Sequence, residues 1–476
     1  MTVPLTELFL VIGLSAAQAL VSATIIVALG LLAAFGLAPI RKSNIKKSIE
    51  LILLAPSLMP TLLTIVASLD LASFFGRFPI GFWGVVVVHF FVNAGLAAVS
   101  ISQLIESRLS GIIELGTIEG ASKFQLIKLS VRELSEQLRN IFIFFFILCF
   151  ASFSIPLVVG AQTGRTVETL IYETLLDHNH FKLALFYSAI QVALIGAFSL
   201  FRRQNISAPS LRRAHPRFLD RVSLGPFLWA LISLSVLLVV GLLGGTAHGL
   251  SEFGHNSVLL DRVTQGALGT FFEALSVGGL VTIISCLVVF LTPSPRLHQL
   301  LLAFSVPSAA ALGFLLVAIF DLTEWPDFAV VMLISVGFAI LIFSTIHRMR
   351  LGDALLEIQG SVESAQIFGA NRWLRFSKII WPQIKNDIAY LAGLSALWAS
   401  CDFAFASMLA GRDLTLGVTA HGLLAGYRSE IATIVALLAT AIGVVTYFIF
   451  RFFLTLELKP LSPAPQTFSG VSSHGH

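Results

Sequence analysis

The chain has 476 residues, 56% of them hydrophobic and 12% charged, with 40 Phe and a formal net charge of +4. An ordinary soluble domain carries roughly 25% charged residues, so a single soluble globule is excluded. Apolar runs recur along the whole length, each long enough to cross about 30 Å of hydrocarbon as a helix, and the chain reads as an all-α polytopic membrane protein.

Eleven spans are predicted, at about 8–39, 49–72, 80–104, 140–162, 181–201, 223–246, 268–291, 298–320, 328–346, 388–410 and 430–450. The first basic residue, Arg41, follows the first apolar run, so that run lacks the basic head of a cleavable signal peptide and is read as a retained span. With the N-terminus outside and alternating spans, 24 of the 30 Lys and Arg fall on the inner side. Because Lys and Arg set orientation, this predicts N-out, C-in. The three cysteines, Cys149, Cys286 and Cys401, lie inside apolar runs and behave as small hydrophobes. Residues 202–221, with six Arg and two Pro, read as a cytoplasmic linker near the middle of the chain. Its charge serves orientation, with anionic lipid headgroups as the sharper alternative.

Two long polar stretches interrupt the pattern on the inner side, at 105–139 and 347–387. An offset of 249 residues aligns Glu114 with Glu363, Gly120 with Gly369, Ala121 with Ala370, Ser122 with Asn371, Lys123 with Arg372 and Phe124 with Trp373. It also carries the seventh to eleventh spans onto the first to fifth. The chain therefore reads as a tandem repeat of a five-span unit. The predicted organisation is a first unit at 1–201, a basic linker at 202–222, a sixth span with an outer loop at 223–267, a second unit at 268–455 and a disordered cytoplasmic tail at 456–476. Five is odd, so two directly joined units would face opposite ways. The sixth span restores parity and puts both polar stretches in the cytoplasm, a parallel repeat about the membrane normal.

Each polar stretch has helix formers before its Gly and a basic, aromatic run after it, which predicts two short helices meeting at a turn. A cation and an aromatic ring just beyond the turn suit docking into a groove of another protein. The run from Glu363 through Gly369 to Ile379, Trp381 and Pro382 resembles the EAA loop of binding-protein-dependent ABC importer permeases, written Glu-Ala-Ala, three residues, Gly, nine residues, Ile, any residue, Leu-Pro. Ser364 and Trp381 replace an Ala and the Leu. In the first copy Glu114 and Gly120 fit, while Ser130, Arg132 and Glu133 stand where Ile, Leu and Pro belong, so its docking is expected to be weaker or differently shaped.

The resemblance covers nearly the whole chain, because fused permeases with two such halves serve ferric iron and thiamine uptake. Segments 147–160, 54–63 and 426–438 look most like the thiamine type. It implies a type I importer (MetI-like) permease unit in each half of a multi-pass protein of the bacterial cytoplasmic membrane. Each loop would insert a coupling helix into one of two cytoplasmic ATPase subunits. ATP and Mg would be held by those partners, with no cofactor on this chain, and a periplasmic solute-binding protein would deliver substrate. The implied mechanism is alternating access, with thiamine or ferric iron as the foremost solutes and polyamines open.

Asp402, on a stripe with Ser395, Ala399 and Ala406, is the clearest ionisable group within a span, and it is a candidate for the translocation path or for a helix-to-helix hydrogen bond. His89, Asn93 and Ser100 form a polar stripe on the third span with the same two readings. Pro56, Pro60 and Pro307 interrupt apolar helices and mark candidate hinges. Asp177, His178 and His180 in an outer loop read as solvated rather than as metal ligands. A membrane enzyme finds no support: there is no Gly-Lys pair for a phosphate-binding loop and no HExxH. The stronger rival is an ion-coupled secondary transporter built on a duplicated bundle, which needs several ionisable groups near the midplane; the sequence offers few.

Overall fold

A computed structural model describes residues 5–41, 43–176, 181–200, 219–220, 222–253, 257–291, 308–320, 325–346, 351–410, 413–426 and 428–456. The first half opens with α1 (Leu5–Leu37), the pair α2 (Ser43–Leu58) and α3 (Thr61–Ser73), and α4 (Phe82–Leu104). A π-helical turn at Ile105–Leu109 leads into α5 (Ser110–Ile118) and α6 (Lys123–Glu133). Then follow α7 (Ser135–Phe150), α8 (Ser154–Val159), α9 (Val167–Leu176) and α10 (Phe181–Leu200). After α11 (Gly225–Phe253), the second half contains α12 (Ser257–Leu291), α13 (Ala309–Ile319), α14 (Asp327–Ile346) and α15 (Gly352–Ile367). It continues with α16 (Arg372–Arg375), a π-helical turn at Phe376–Ile380, α17 (Trp381–Ala399), α18 (Ala404–Ala410), α19 (Leu416–Ala425) and α20 (Ser429–Thr455).

Among the described residues α1, α4, α10, α11, α12 and α20 are long and apolar enough to cross a membrane. α2 and α3 make a seventh such element as a pair bent by 100°. The protein is thus a multi-pass helical membrane protein. Two predicted spans are interrupted: 140–162 breaks between α7 and α8, and 388–410 breaks between α17 and α18. Apolar composition cannot register these breaks, because 151–153 and 400–403 are short and flanked on both sides by apolar helix. The span predicted at 298–320 is described only from residue 308. Pro307, the loop holding Asp177, His178 and His180, most of the basic linker and nearly all of the tail lie outside the described residues.

The 249-residue offset recurs in the elements. It lays α9 on α19 residue for residue and ends α5 and α7 where α15 and α17 end. α1 and α12 are displaced by six further residues, since Ser15 Oγ accepts from the Val167 amide at 3.0 Å as Thr270 Oγ1 accepts from the Leu416 amide at 2.8 Å.

The bend between α2 and α3 has a local cause. Pro56 and Pro60 each lack an N–H, which frees carbonyls that lipid cannot satisfy. The Pro56 carbonyl accepts from Thr64 Oγ1 at 3.3 Å, and the Leu58 carbonyl accepts from Trp398 Nε1 of the other half at 3.2 Å. Trp398→Phe is therefore expected to lower stability by about 1 kcal/mol, read as a lower melting temperature in detergent; an unchanged midpoint would show that the bend does not need this donor.

The halves share one apolar interior in which Leu62 and Val66 of α3 join Leu238 of α11 and Val435 and Ala439 of α20. α11 bridges them along one small-residue face. A Cβ at Gly241 would meet the Ala67 carbonyl of α3 at 2.8 Å, and one at Gly249 would meet the Glu430 carbonyl of α20 at 2.3 Å. The sixth span thus packs across both halves.

Candidate functional site

The two polar stretches fold into matching helix–turn–helix elbows. In the first, α5 ends at Gly120, whose φ is +81°; in the second, α15 ends at Gly369, with φ +80°. Each Gly occupies the left-handed position after a helix end, which an L-residue holds only under strain. The bonding is the same in both. Gly120 N donates to Thr117 O and Ala121 N to Gly116 O, at 3.1 and 2.9 Å; Gly369 N donates to Gln366 O and Ala370 N to Ala365 O, both at 3.0 Å. Ser122 then caps α6 by accepting from the Gln125 amide at 3.4 Å, and Asn371 caps α16 by accepting from the Leu374 amide at 2.8 Å. The polar residue after Gly-Ala in both copies is therefore a helix cap.

The elbows differ in their anchors. Lys123 Nζ donates to the Ser223 carbonyl at 2.6 Å, tying the first elbow to the chain just before α11, and Leu126 is buried against α5. The second leans on the end of α12, where Trp373 and Phe376 pack edge-on to Phe290 and the Arg372 guanidinium lies 5.9 Å from that ring. Arg375 Nη1 donates to Gln366 Oε1 at 2.7 Å, joining the two arms. Glu363 is exposed and accepts from Gln359 Nε2 at 2.7 Å, while Glu114 is half-buried. Large apolar side chains nevertheless face outward: Phe124 is 76% exposed, Ile367 84%, Phe368 89% and Trp373 67%. Apolar side chains exposed on a rigidly bonded turn suit docking into a groove of a partner.

The candidate pathway residues sit apart from the elbows. His89 Nδ1 meets Gln18 Nε2 at 3.2 Å and Ser22 Oγ at 3.5 Å on α1, and Asn93 Nδ2 donates to the His89 carbonyl at 3.0 Å. His89 and Asn93 are both buried, so this polar stripe joins α4 to α1. Asp402 does not lie on a continuous helical stripe with Ser395, Ala399 and Ala406, because the helix is broken between Ala399 and Ala404. Its oxygens accept from the Phe405 and Ala406 amides at 3.4 and 3.0 Å, so it caps α18.

Three further acids lie in the interior; Asp70 and Glu273 stand in the sequence as lone carboxylates in apolar runs, whereas Glu168 shares its helix with Glu173 and carries no such signal. Asp70 is 6% exposed, and Glu168 and Glu273 are fully buried. Together with Asp402 they make the interior richer in ionisable groups than expected. Among the described residues, neither carboxylate oxygen of Glu273 has a hydrogen-bond partner. The repeat explains why: in the shifted register of α1 and α12 its equivalent is Gln18, which has His89, whereas the position equivalent to His89 is Phe338. An unpartnered buried carboxylate is destabilising. Glu273→Met is expected to raise stability by about 1 kcal/mol or more, seen as a higher detergent melting temperature, and a lower one would mean that the carboxylate has a partner in the membrane.

Residues 299–456 match the family described as "Binding-protein-dependent transport system inner membrane component". The matched stretch takes in the second elbow, Gly369 included, and makes the second half of the chain similar to the membrane component of such transport systems. The chain is similar to the Thiamine transport system permease protein ThiP of Escherichia coli (strain K12), with 23% identity over 389 residues that cover 76% of this chain and 70% of that protein. No solved structure matches the chain.

Proposed function

We propose that the chain, N-out and C-in, moves thiamine inward by alternating access, driven by two cytoplasmic ATPase subunits and fed by a periplasmic solute-binding protein. One observation carries the reading: two elbows with the same left-handed Gly and the same cap stand at equivalent points of a duplicated bundle, each with exposed apolar side chains. One ATPase subunit on each elbow would hold ATP and Mg. Closure of the ATPase pair would move both elbows together, and a turn bonded internally transmits such a displacement where a slack loop absorbs it. The likeness to the thiamine permease favours thiamine over ferric iron as solute.

Mild-detergent purification of the tagged chain from native membranes tests this reading. Two ATPase subunits per chain and ATP-dependent uptake of thiamine in the presence of the binding protein are expected. Recovery of the chain alone, with uptake in vesicles lacking ATP, would overturn it. That outcome would favour the ion-coupled alternative, to which the buried acids point, Glu273 above all. Glu273→Gln then separates the two, because it abolishes ion-coupled uptake and leaves ATP-driven uptake intact.

A further inference from the structure

The two halves meet along two seams that the repeat makes equivalent: α3 against α20, and α13 against α10. Each seam is crossed by a buried carboxylate. In the first, Asp70 Oδ2 accepts from Thr433 Oγ1 at 2.9 Å, and both side chains are buried. In the second, Glu168 of the first half accepts from the Ala310 amide, in the first turn of α13, at 2.9 Å, and from Gln191 Nε2 of α10 at 2.6 Å. That carboxylate therefore satisfies an orphan N–H at the positive end of a helix from the other half. The Phe181 and Phe314 rings pack against each other across the same seam, tilted by 38° with centroids 4.5 Å apart.

The seams are equivalent but the links are not. Both acids come from the first half, and under the 249-residue offset Asp70 corresponds to Ile319 and Glu168 to Gly417. No repeat symmetry accounts for them, and apolar side chains would close the seams as well. What a carboxylate adds is two-state behaviour. It is tolerated when every seam contact is made, or when the seam is open and wet, and it is destabilising at any separation that breaks the bonds without admitting water. α4 runs toward the elbows, so the last turn of α3, which holds Asp70, lies at the opposite end of the bundle. The Glu168 link lies deeper, since Gln191 is ten residues into α10.

We infer that Glu168 and Asp70 are gating residues: paired, asymmetric latches that hold the two seams shut in the resting permease and make their opening all-or-none. This inference rests on the importer reading and adds to it the residues that keep the seams closed until the solute-loaded binding protein arrives. Thr433→Val removes the donor to Asp70, and Glu168→Gln removes the charge from the α13 terminus while keeping shape and one acceptor. Asp70→Asn likewise removes the charge while keeping an acceptor for Thr433.

The test is ATP hydrolysis by the assembled complex in lipid, measured with and without the binding protein. Thr433→Val, Glu168→Gln and Asp70→Asn should each raise hydrolysis without the binding protein by about threefold to tenfold, and Gly13→Ala, where a Cβ meets nothing within 4 Å, should stay within about twofold of the parent. An ATPase stoichiometry and size-exclusion profile equal to the parent's separate release of a latch from damage to the complex. In the unsubstituted complex, hydrogen exchange in residues 61–73 and 309–319 should accelerate when the binding protein and a non-hydrolysable ATP analogue are added together. Variant rates equal to the parent's, or exchange that does not respond, would overturn the latches while leaving the importer reading intact. A parent complex without ATP hydrolysis would overturn both.

Discussion

Replacing Gly369 with Val should abolish co-purification of the ATPase and reduce ATP-driven uptake at least tenfold, while the membrane bundle stays folded. Gly369 has a φ of +80°, and a Cβ built there meets nothing within 4 Å. The substitution therefore meets no steric wall; its whole effect is conformational. A left-handed backbone costs an L-residue roughly 1–2 kcal/mol, more when the side chain is β-branched, so the turn relaxes and its two bonds, to Gln366 O and Ala365 O, are lost. Trp373 and Phe368 then no longer stand in one fixed arrangement. Asn is the residue best suited to a left-handed position after Gly, so Gly369→Asn should retain most of the activity. The measurement is a pull-down of the ATPase beside thiamine uptake for the Val, Ala and Asn variants. Equal activity for Val and Asn would mean that the turn geometry does not carry the coupling. Gly120→Val, at φ +81°, imposes the same strain on the first elbow, whose anchor through Lys123 and Ser223 is different.

The second large effect is expected inside the bundle. Gly95 of α4 lies so close to α2 that an added Cβ would stand 1.7 Å from the Leu53 carbonyl oxygen and 2.6 Å from its carbon. Neither atom belongs to a side chain that can turn away, so the two helix backbones must separate. Gly95→Ala should destabilise by about 3 kcal/mol, the upper end of overpacking costs, with a large fall in yield and detergent melting temperature. Gly13→Ala and Gly279→Ala, where a Cβ meets nothing within 4 Å, are the controls and should leave both unchanged. A tolerated Gly95→Ala would show that α2 and α4 are not in backbone contact.

Much of the elbow was legible in one dimension. A left-handed turn needs Gly, a helix start needs a Ser or Asn cap, and both requirements are local. Gly120 with Ser122 and Gly369 with Asn371 therefore mark the same structure twice at a fixed separation. The helix breaks were harder to see. Phe153 and Asp402 hold equivalent places in apolar runs that composition reads as continuous, and Asp402 shows its role only as the cap of α18. Asp70 stood out as an acid in apolar surroundings and Glu168 did not, and their partners, Thr433 and Ala310, are 363 and 142 residues away.

The sequence by itself determined the membrane class, the duplicated plan and the chemistry of the elbows, because hydrophobic length, offset repetition and backbone preference are properties of neighbouring residues. Only the tertiary structure decided which carboxylates are partnered. Glu168 is bonded and Glu273 is not, although each is a buried acid in a mostly apolar helix. The stability of a buried charge depends on the donors that packing brings within about 3 Å, and for Glu168 these are Gln191 of its own half and Ala310 of the other.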